Sequence, residues 1–242
     1  MPIDASSTYK SLLSRRKGFL GNDQYTKLLL HCNGADASTS FPDASAKGHT
    51  VTAVADAQVD TAQKVFGSAS AKFDGTGDYL SVADSVDWYM GTGKFTIDFR
   101  LRFSSVLSSI YLFAQTETPG QDTAFCVWNT GGTDNLRFGI KDNSPTNSVD
   151  LRGDFVAAIN TWYHIAVIRG WGGVTNNWAI TLNGTAVVTE MEADDWPNFA
   201  AALTIGGRAD DACLGGWIEE FRVSKGIARW TANFTPPTIP YR

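Results

Sequence analysis

The sequence predicts an all-β fold, a sandwich of two antiparallel sheets, and three observations carry that expectation. Short runs with period-2 alternation recur along the chain, the clearest being Phe95-Thr96-Ile97-Asp98-Phe99-Arg100-Leu101-Arg102-Phe103. Between the runs stand clusters of Gly, Asp, Asn and Thr, which suit tight turns. Nothing carries a helical period beyond a turn near residues 85–90. A chain of 242 residues with 43% hydrophobic side chains can build one large core, and sandwiches of this size commonly form one unit.

Residues 1–25 differ from the rest and read as a basic N-terminal arm, with residues 26–242 forming the sandwich. Arg15, Arg16, Lys17 and Phe19 are the arm residues that would touch a partner; the arm packs either on a neighbouring chain or along its own sandwich. Residues 27–32 open the strand series, followed by 50–54. The run 71–73 turns through Asp74-Gly75-Thr76-Gly77-Asp78 and returns as 79–82. After 95–103, the segments 110–115, 125–129 and 136–141 continue as a meander, and 162–169 and 178–182 are long core strands. Asn183-Gly184 is the strongest hairpin signal, returning as 185–189. Residues 203–206 precede a last strand, in which Ile218, Glu220 and Arg222 share one face and Trp217, Glu219, Phe221 and Val223 the other. The tail, with Pro236-Pro237, cannot continue a ladder and reads as a strap laid over the sandwich.

A net charge of −5 argues against a general nucleic-acid binder. No apolar run reaches the length of a membrane span, and the N-terminus carries no apolar segment of the secretory kind. Cys32, Cys126 and Cys213 are isolated, which points to reduced, buried thiols, with a single Cys32–Cys213 bridge as the alternative.

The segments Phe73–Leu80, Phe95–Phe99, Thr161–Val167, Leu182–Gly184, Leu203–Gly207 and the run from Gly216 occur in the order seen in laminin-G-like domains. Over residues 27–242 the chain resembles the concanavalin A-like lectin/glucanase jelly roll, and Lys225–Trp230 with Phe234-Thr235-Pro236-Pro237 resembles the variant found in bacteriophage structural proteins. The resemblance implies a non-enzymatic virion component, often a homo-oligomer in its assembly. It would either decorate the capsid or virion surface, bound to other virion proteins through the arm, or bind a host surface glycan from a tail fibre or tail tip. A bacterial glycan-binding or glycan-active module is the third reading.

Glu190, Glu192 and Asp194 sit at i, i+2, i+4, as paired catalytic carboxylates on a strand would. They follow a hairpin and run into Asp195-Trp196-Pro197, and the E-x-D-x-x-E order of the family's glucanases is absent, so the segment reads as a solvated acidic loop. His31 and His49 are isolated, and His164 alternates within a core strand; no catalytic residue is assigned. The resemblance further implies a Ca²⁺ site at Asp36 or Asp43, which Glu219 and Glu220 could complete; alternatively the aspartates hold turns and Glu220 pairs with Arg222 or Arg102. For sugar binding, Trp171, Trp196 and Asn198 stand in loops as platform and donor, while Trp162, Trp178, Trp217 and Trp230 are expected to fill the core.

Overall fold

The alternating runs become strands in a computed structural model that describes residues 22–105, 109–119, 121–129, 136–143, 148–208 and 213–242. Arg15, Arg16, Lys17 and Phe19 lie outside the described residues. In chain order the strands are β1 (Thr26–Leu30), β2 (Val51–Val54), β3 (Gln58–Asp60), β4 (Ser70–Asp74), β5 (Tyr79–Val82), β6 (Phe95–Phe103), β7 (Ile110–Thr118) and β8 (Asp122–Trp128). They continue with β9 (Leu136–Lys141), β10 (Val149–Gly153), β11 (Trp162–Arg169), β12 (Asn177–Leu182), β13 (Thr185–Met191), β14 (Leu203–Ile205) and β15 (Gly215–Lys225). Sheet I has the order β13-β12-β11-β6-β15-β4-β3, with β1 also paired to β15; sheet II has the order β10-β9-β8-β7-β14-β5-β2. No helix among the described residues is long and apolar enough to cross a membrane.

Alternation sorts each strand into a core face and an outer face. On β6, Phe95, Ile97, Phe99, Leu101 and Phe103 point inward and are buried. Phe99 stacks on Phe221 of β15 at 5.5 Å and meets Phe113 of β7 edge-on at 6.1 Å, which locks the two sheets together. The Asn183-Gly184 hairpin forms as expected, with φ of 50° and 81° at the two residues. Cys32, Cys126 and Cys213 are reduced and buried.

β15 departs from the expected alternation. The register on β6 shifts between Glu219 and Arg222, and Glu220 takes φ 53°. This bulge inserts one residue, so Ile218, Phe221 and Val223 all face the core while Trp217, Glu219 and Arg222 face outward.

Residues 226–242 cross the outer face of sheet I. Phe234 N–H donates to Gly184 O at 2.9 Å, Arg100 Nη2 donates to Pro237 O at 2.5 Å, and Asn22 N–H donates to Arg242 O at 2.8 Å. The tail therefore spans the sheet from the β12–β13 hairpin to the entry of β1. Trp230 and Phe234 stack at 4.0 Å, and both present their rings edge-on to His164. The proline-rich tail closes the centre of this face as a strap.

Candidate functional site

Beneath the strap the outer face of sheet I is charged and sealed. Arg222 Nε and Nη2 donate to Asp98 Oδ1 and Oδ2 at 2.9 and 3.2 Å, and the Tyr241 hydroxyl donates to Asp98 Oδ2. Burial alone would raise the Asp98 carboxyl, but Arg222 and His164 hold it down at about 2. His164 Nε2 stands 3.5 Å from Asp98, and burial lowers the imidazole's pKa. These groups are closed off from any ligand, and their arrangement is structural.

The four expected calcium ligands do not converge but serve separate tasks. Asp36 Oδ1 accepts the N–H and hydroxyl of Thr61 at 3.0 and 3.1 Å. Asp43 accepts the N–H groups of Leu29, Ser45 and His49 at 3.0, 2.8 and 2.8 Å, fixing the loop after β1. Glu219 accepts the N–H groups of Val65 and Phe66 at 2.6 and 2.5 Å, and burial, with Glu220 beside it, pushes its carboxyl up to about 7. Glu220 pairs with His31 Nδ1 at 2.5 Å and accepts Tyr241 N–H at 2.8 Å, so neither Arg222 nor Arg102 is its partner.

Other carboxylates do converge. Asp56, in the β2–β3 turn, and Asp74 and Asp78, at the two ends of the β4–β5 turn, bring carboxylate oxygens within 4.8 Å of one another. Asp78 is buried and accepts the N–H groups of Asp56 and Asp74 at 2.7 and 2.8 Å, tying two sheet-crossing turns into one corner. Burial raises its pKa, and the adjacent Asp74 and Asp56 charges add to that. A cavity of ≈ 350 Å³ lies here, lined also by Thr39, Gln58 and Lys72.

Sheet II keeps a more open outer face among the described residues. Register places Thr52, Ser81, Thr204, Ala114, Phe125, Gly139 and Asp150 in one row across seven strands. Over β5, β14 and β7 lies a groove of ≈ 340 Å³ lined by Tyr79, Ser81, Thr116, Glu117, Thr204 and Arg208. Arg208 lies over the Tyr111 ring at 4.3 Å, and Arg137, gripped by Asp150 at 2.6 Å, lies over Phe125 at 5.3 Å. Within the groove the half-buried ring of Tyr79, the hydroxyl side chains and the charges of Glu117 and Arg208 are a chemistry that can hold a polyol. The groove begins at Tyr79, next in sequence to the Asp78 corner.

Of the expected sugar platforms, Trp171 is half-buried in a 3₁₀ turn and Asn198 is exposed, but Trp196 is 1% exposed. Its ring packs edge-on to Phe95 at 5.5 Å and its Nε1 donates to Gln115 at 3.1 Å, so it is core and offers no platform. Conversely, Trp162 and Trp217, expected in the core, lie half-buried on the outer face of sheet I. Glu190 lies at the end of β13 on a sheet edge, and Glu192 and Asp194 follow in a loop; burial, then the Asp194 and Glu190 charges, raise the Glu192 pKa.

Comparison of the sequence with curated proteins returned no match. Solved structures share the fold. Domain 4 of AbnA, a GH43 extracellular arabinanase from Geobacillus stearothermophilus, solved with arabinotriose, is 15% identical with a TM-score of 0.62, covering 84% of this chain and 93% of that one. The receptor binding domain of botulinum neurotoxin D is 14% identical (TM-score 0.64, 85% of this chain and 50% of that one). The binding domain of Paraclostridial Mosquitocidal Protein 1 is 13% identical (TM-score 0.61, 85% and 50%). The chain thus spans about half the length of the toxin domains it matches. A laminin-G family model matches residues 74–229, from the acidic corner to the first turn of the strap, and over that majority of its length the chain belongs to the concanavalin A-like lectin/glucanases superfamily.

Proposed function

We propose that this chain is a non-catalytic carbohydrate-binding module that takes its ligand on the outer face of sheet II. The observation that carries the reading is the asymmetry of the sandwich: the strap seals the centre of one face, while the other keeps a groove of aromatic, hydroxyl and charged side chains. Tyr79 would stack on a sugar ring, with Ser81, Thr116, Glu117 and Arg208 bonding its hydroxyls. The arabinanase domain solved with arabinotriose, nearly all of which this fold covers, supports the ligand class. Among the described residues lining the groove the carboxylate is Glu117 alone, whereas hydrolysis of a glycosidic bond works with a pair, and this favours the binding reading.

The setting read from the tail sequence, a phage virion, belongs to the same proposal, and a glycan binder suits a tail-tip or tail-fibre position better than capsid decoration. Asp56, Asp74 and Asp78 would hold a divalent cation such as Ca²⁺ beside the groove; three carboxylates supply part of the six to eight oxygens it takes, and Lys72 competes with it in the same cavity.

Calorimetry with arabinotriose and a wider panel of oligosaccharides tests the reading. The expected result is saturable binding that Tyr79→Ala or Arg208→Ala weakens at least tenfold without loss of fold, and no cleavage of the bound sugar. Absence of binding to every member of the panel would overturn it. For the cation, a chelator should lower the melting temperature of the protein but not that of Asp74→Asn; an unchanged melting temperature removes the metal.

A further inference from the structure

We propose a second carbohydrate surface, on the part of sheet I that the strap leaves uncovered: a cross-strand row of Trp162, Arg102, Trp217, Lys72 and Gln58, fitted to a linear, uncharged oligosaccharide laid across the strands. The row follows from register. Trp162 pairs with Arg102, Arg102 with Trp217, Trp217 with Lys72 and Lys72 with Gln58, so five neighbouring strands each contribute one residue. All five are half-buried, neither enclosed nor fully free.

Two positions along the same strands the picture reverses. His164 and Glu219 are 1% and 0% exposed, roofed by the strap and by the 61–69 loop. The strap crosses at Arg100, through its bond to Pro237, and then turns toward Glu220 with Tyr241. Arg102 lies one step beyond that crossing, so its row stays open.

Two side chains at the centre of the row, Trp217 and Arg102, are held in place before any ligand arrives. Trp217 Nε1 donates to Asp60 Oδ2 at 2.7 Å, which sets the plane of the indole. The Arg102 guanidinium lies over that indole at 5.3 Å and is fixed from the other side by Asn160, Nη2 donating to its Oδ1 at 3.0 Å. Rigid aromatic rings with part of their surface open to water lose little conformational freedom when a ligand stacks on them. With strands ~4.8 Å apart, the two tryptophans stand about 10 Å from each other and the row runs about 19 Å, room for several sugar rings in line.

Charge selects among ligands. Arg102 and Lys72 are balanced by Asp60 beside the row and by Asp56 and Asp74 at its end, where Gln58 and Lys72 open into the acidic cavity. A polyanion meets those carboxylates and a polycation meets Arg102 and Lys72, whereas a neutral, hydroxyl-rich chain finds both donors and acceptors. The inference rests on the carbohydrate-binding reading above but names a different surface.

The test uses the full chain with arabinotriose and with neutral hexasaccharides of cellulose and xylan. In two-dimensional NMR of the unaltered protein, the indole N–H signals of Trp162 and Trp217 should shift on titration. Trp162→Ala and Trp217→Ala should each weaken binding of the longer chains at least tenfold, Trp217→Phe should restore part of it, and Tyr79→Ala should leave this component intact. Binding that both tryptophan variants retain and Tyr79→Ala abolishes, with the two indole signals unmoved, would overturn the second surface and keep the first. Binding of none of the sugars would overturn both.

Discussion

At the scale of residues, the charges under the strap behave unlike surface charges. Asp98 and Arg222 are 0% and 1% exposed and bonded to each other. Removing one partner leaves the other buried and uncompensated, so Asp98→Asn should destabilise the fold by ~3–5 kcal/mol, read from urea midpoints. Glu219 gives a pH signature. Its folded pKa, raised to about 7 from 4.5, means that the folded state binds the extra proton between those values. Stability from this group is therefore full below pH 4.5 and declines as pH rises to 7, by up to ~3 kcal/mol. His31, raised chiefly by its bond to Glu220, adds a loss of the same sign above pH 6.5, whereas His164, lowered by burial, costs stability below it. Urea midpoints at pH 5 and 7.5 should differ less in Glu219→Gln than in the unaltered protein; an equal difference would remove Glu219 as the cause.

At the scale of elements, the hairpin and the strap act as one device. Gly184 has φ 81°, and a Cβ there would lie 1.9 Å from the Phe234 carbonyl oxygen. Gly184→Ala should cost at least ~1–2 kcal/mol and free the strap, so limited proteolysis should cut after residue 226 sooner than in the unaltered protein. Most elements were legible because their alternation is regular: β5, β6, β9 and β11 begin and end where the pattern does. β3 is too short for a period to register, and β10, Val149-Asp150-Leu151-Arg152-Gly153, is flanked by polar residues that mask it. The bulge at Glu220 was invisible because an inserted residue reverses a period-2 count, and this is why Trp217 was grouped with Phe221 and Val223. The acidic corner was half legible. Asp74 and Asp78 bracket one glycine-rich turn, but Asp56 joins them only through the folding of a second turn. Trp196 misled because a loop position does not tell whether the loop folds inward.

At the scale of the molecule, topology decides how the sandwich assembles. β15, the last strand, lies between β6 and β4 in sheet I, and its other half holds β1. Neither sheet has its centre without segments far apart in sequence, so folding should be slow, on the order of milliseconds to seconds, and unfolding should be one cooperative transition. A chain ended at Lys225 leaves Asp98, His164 and Arg222 uncovered. Such a chain should lose that single transition and bind a hydrophobic dye; calorimetry showing an unchanged transition would mean the strap is dispensable to the core.

The three thiols provide a clock for that opening. Cys32 follows β1, Cys126 sits in β8 at the middle of sheet II, and Cys213 precedes β15 near the acidic corner. Burial raises the pKa of each, so alkylating reagents meet neutral, hidden sulfur until the surrounding structure parts. Mass spectrometry of timed alkylation therefore reads three separate regions of one molecule. Modification of Cys213 ahead of Cys126 would report that the corner beside the groove opens while the sheet behind it stays closed.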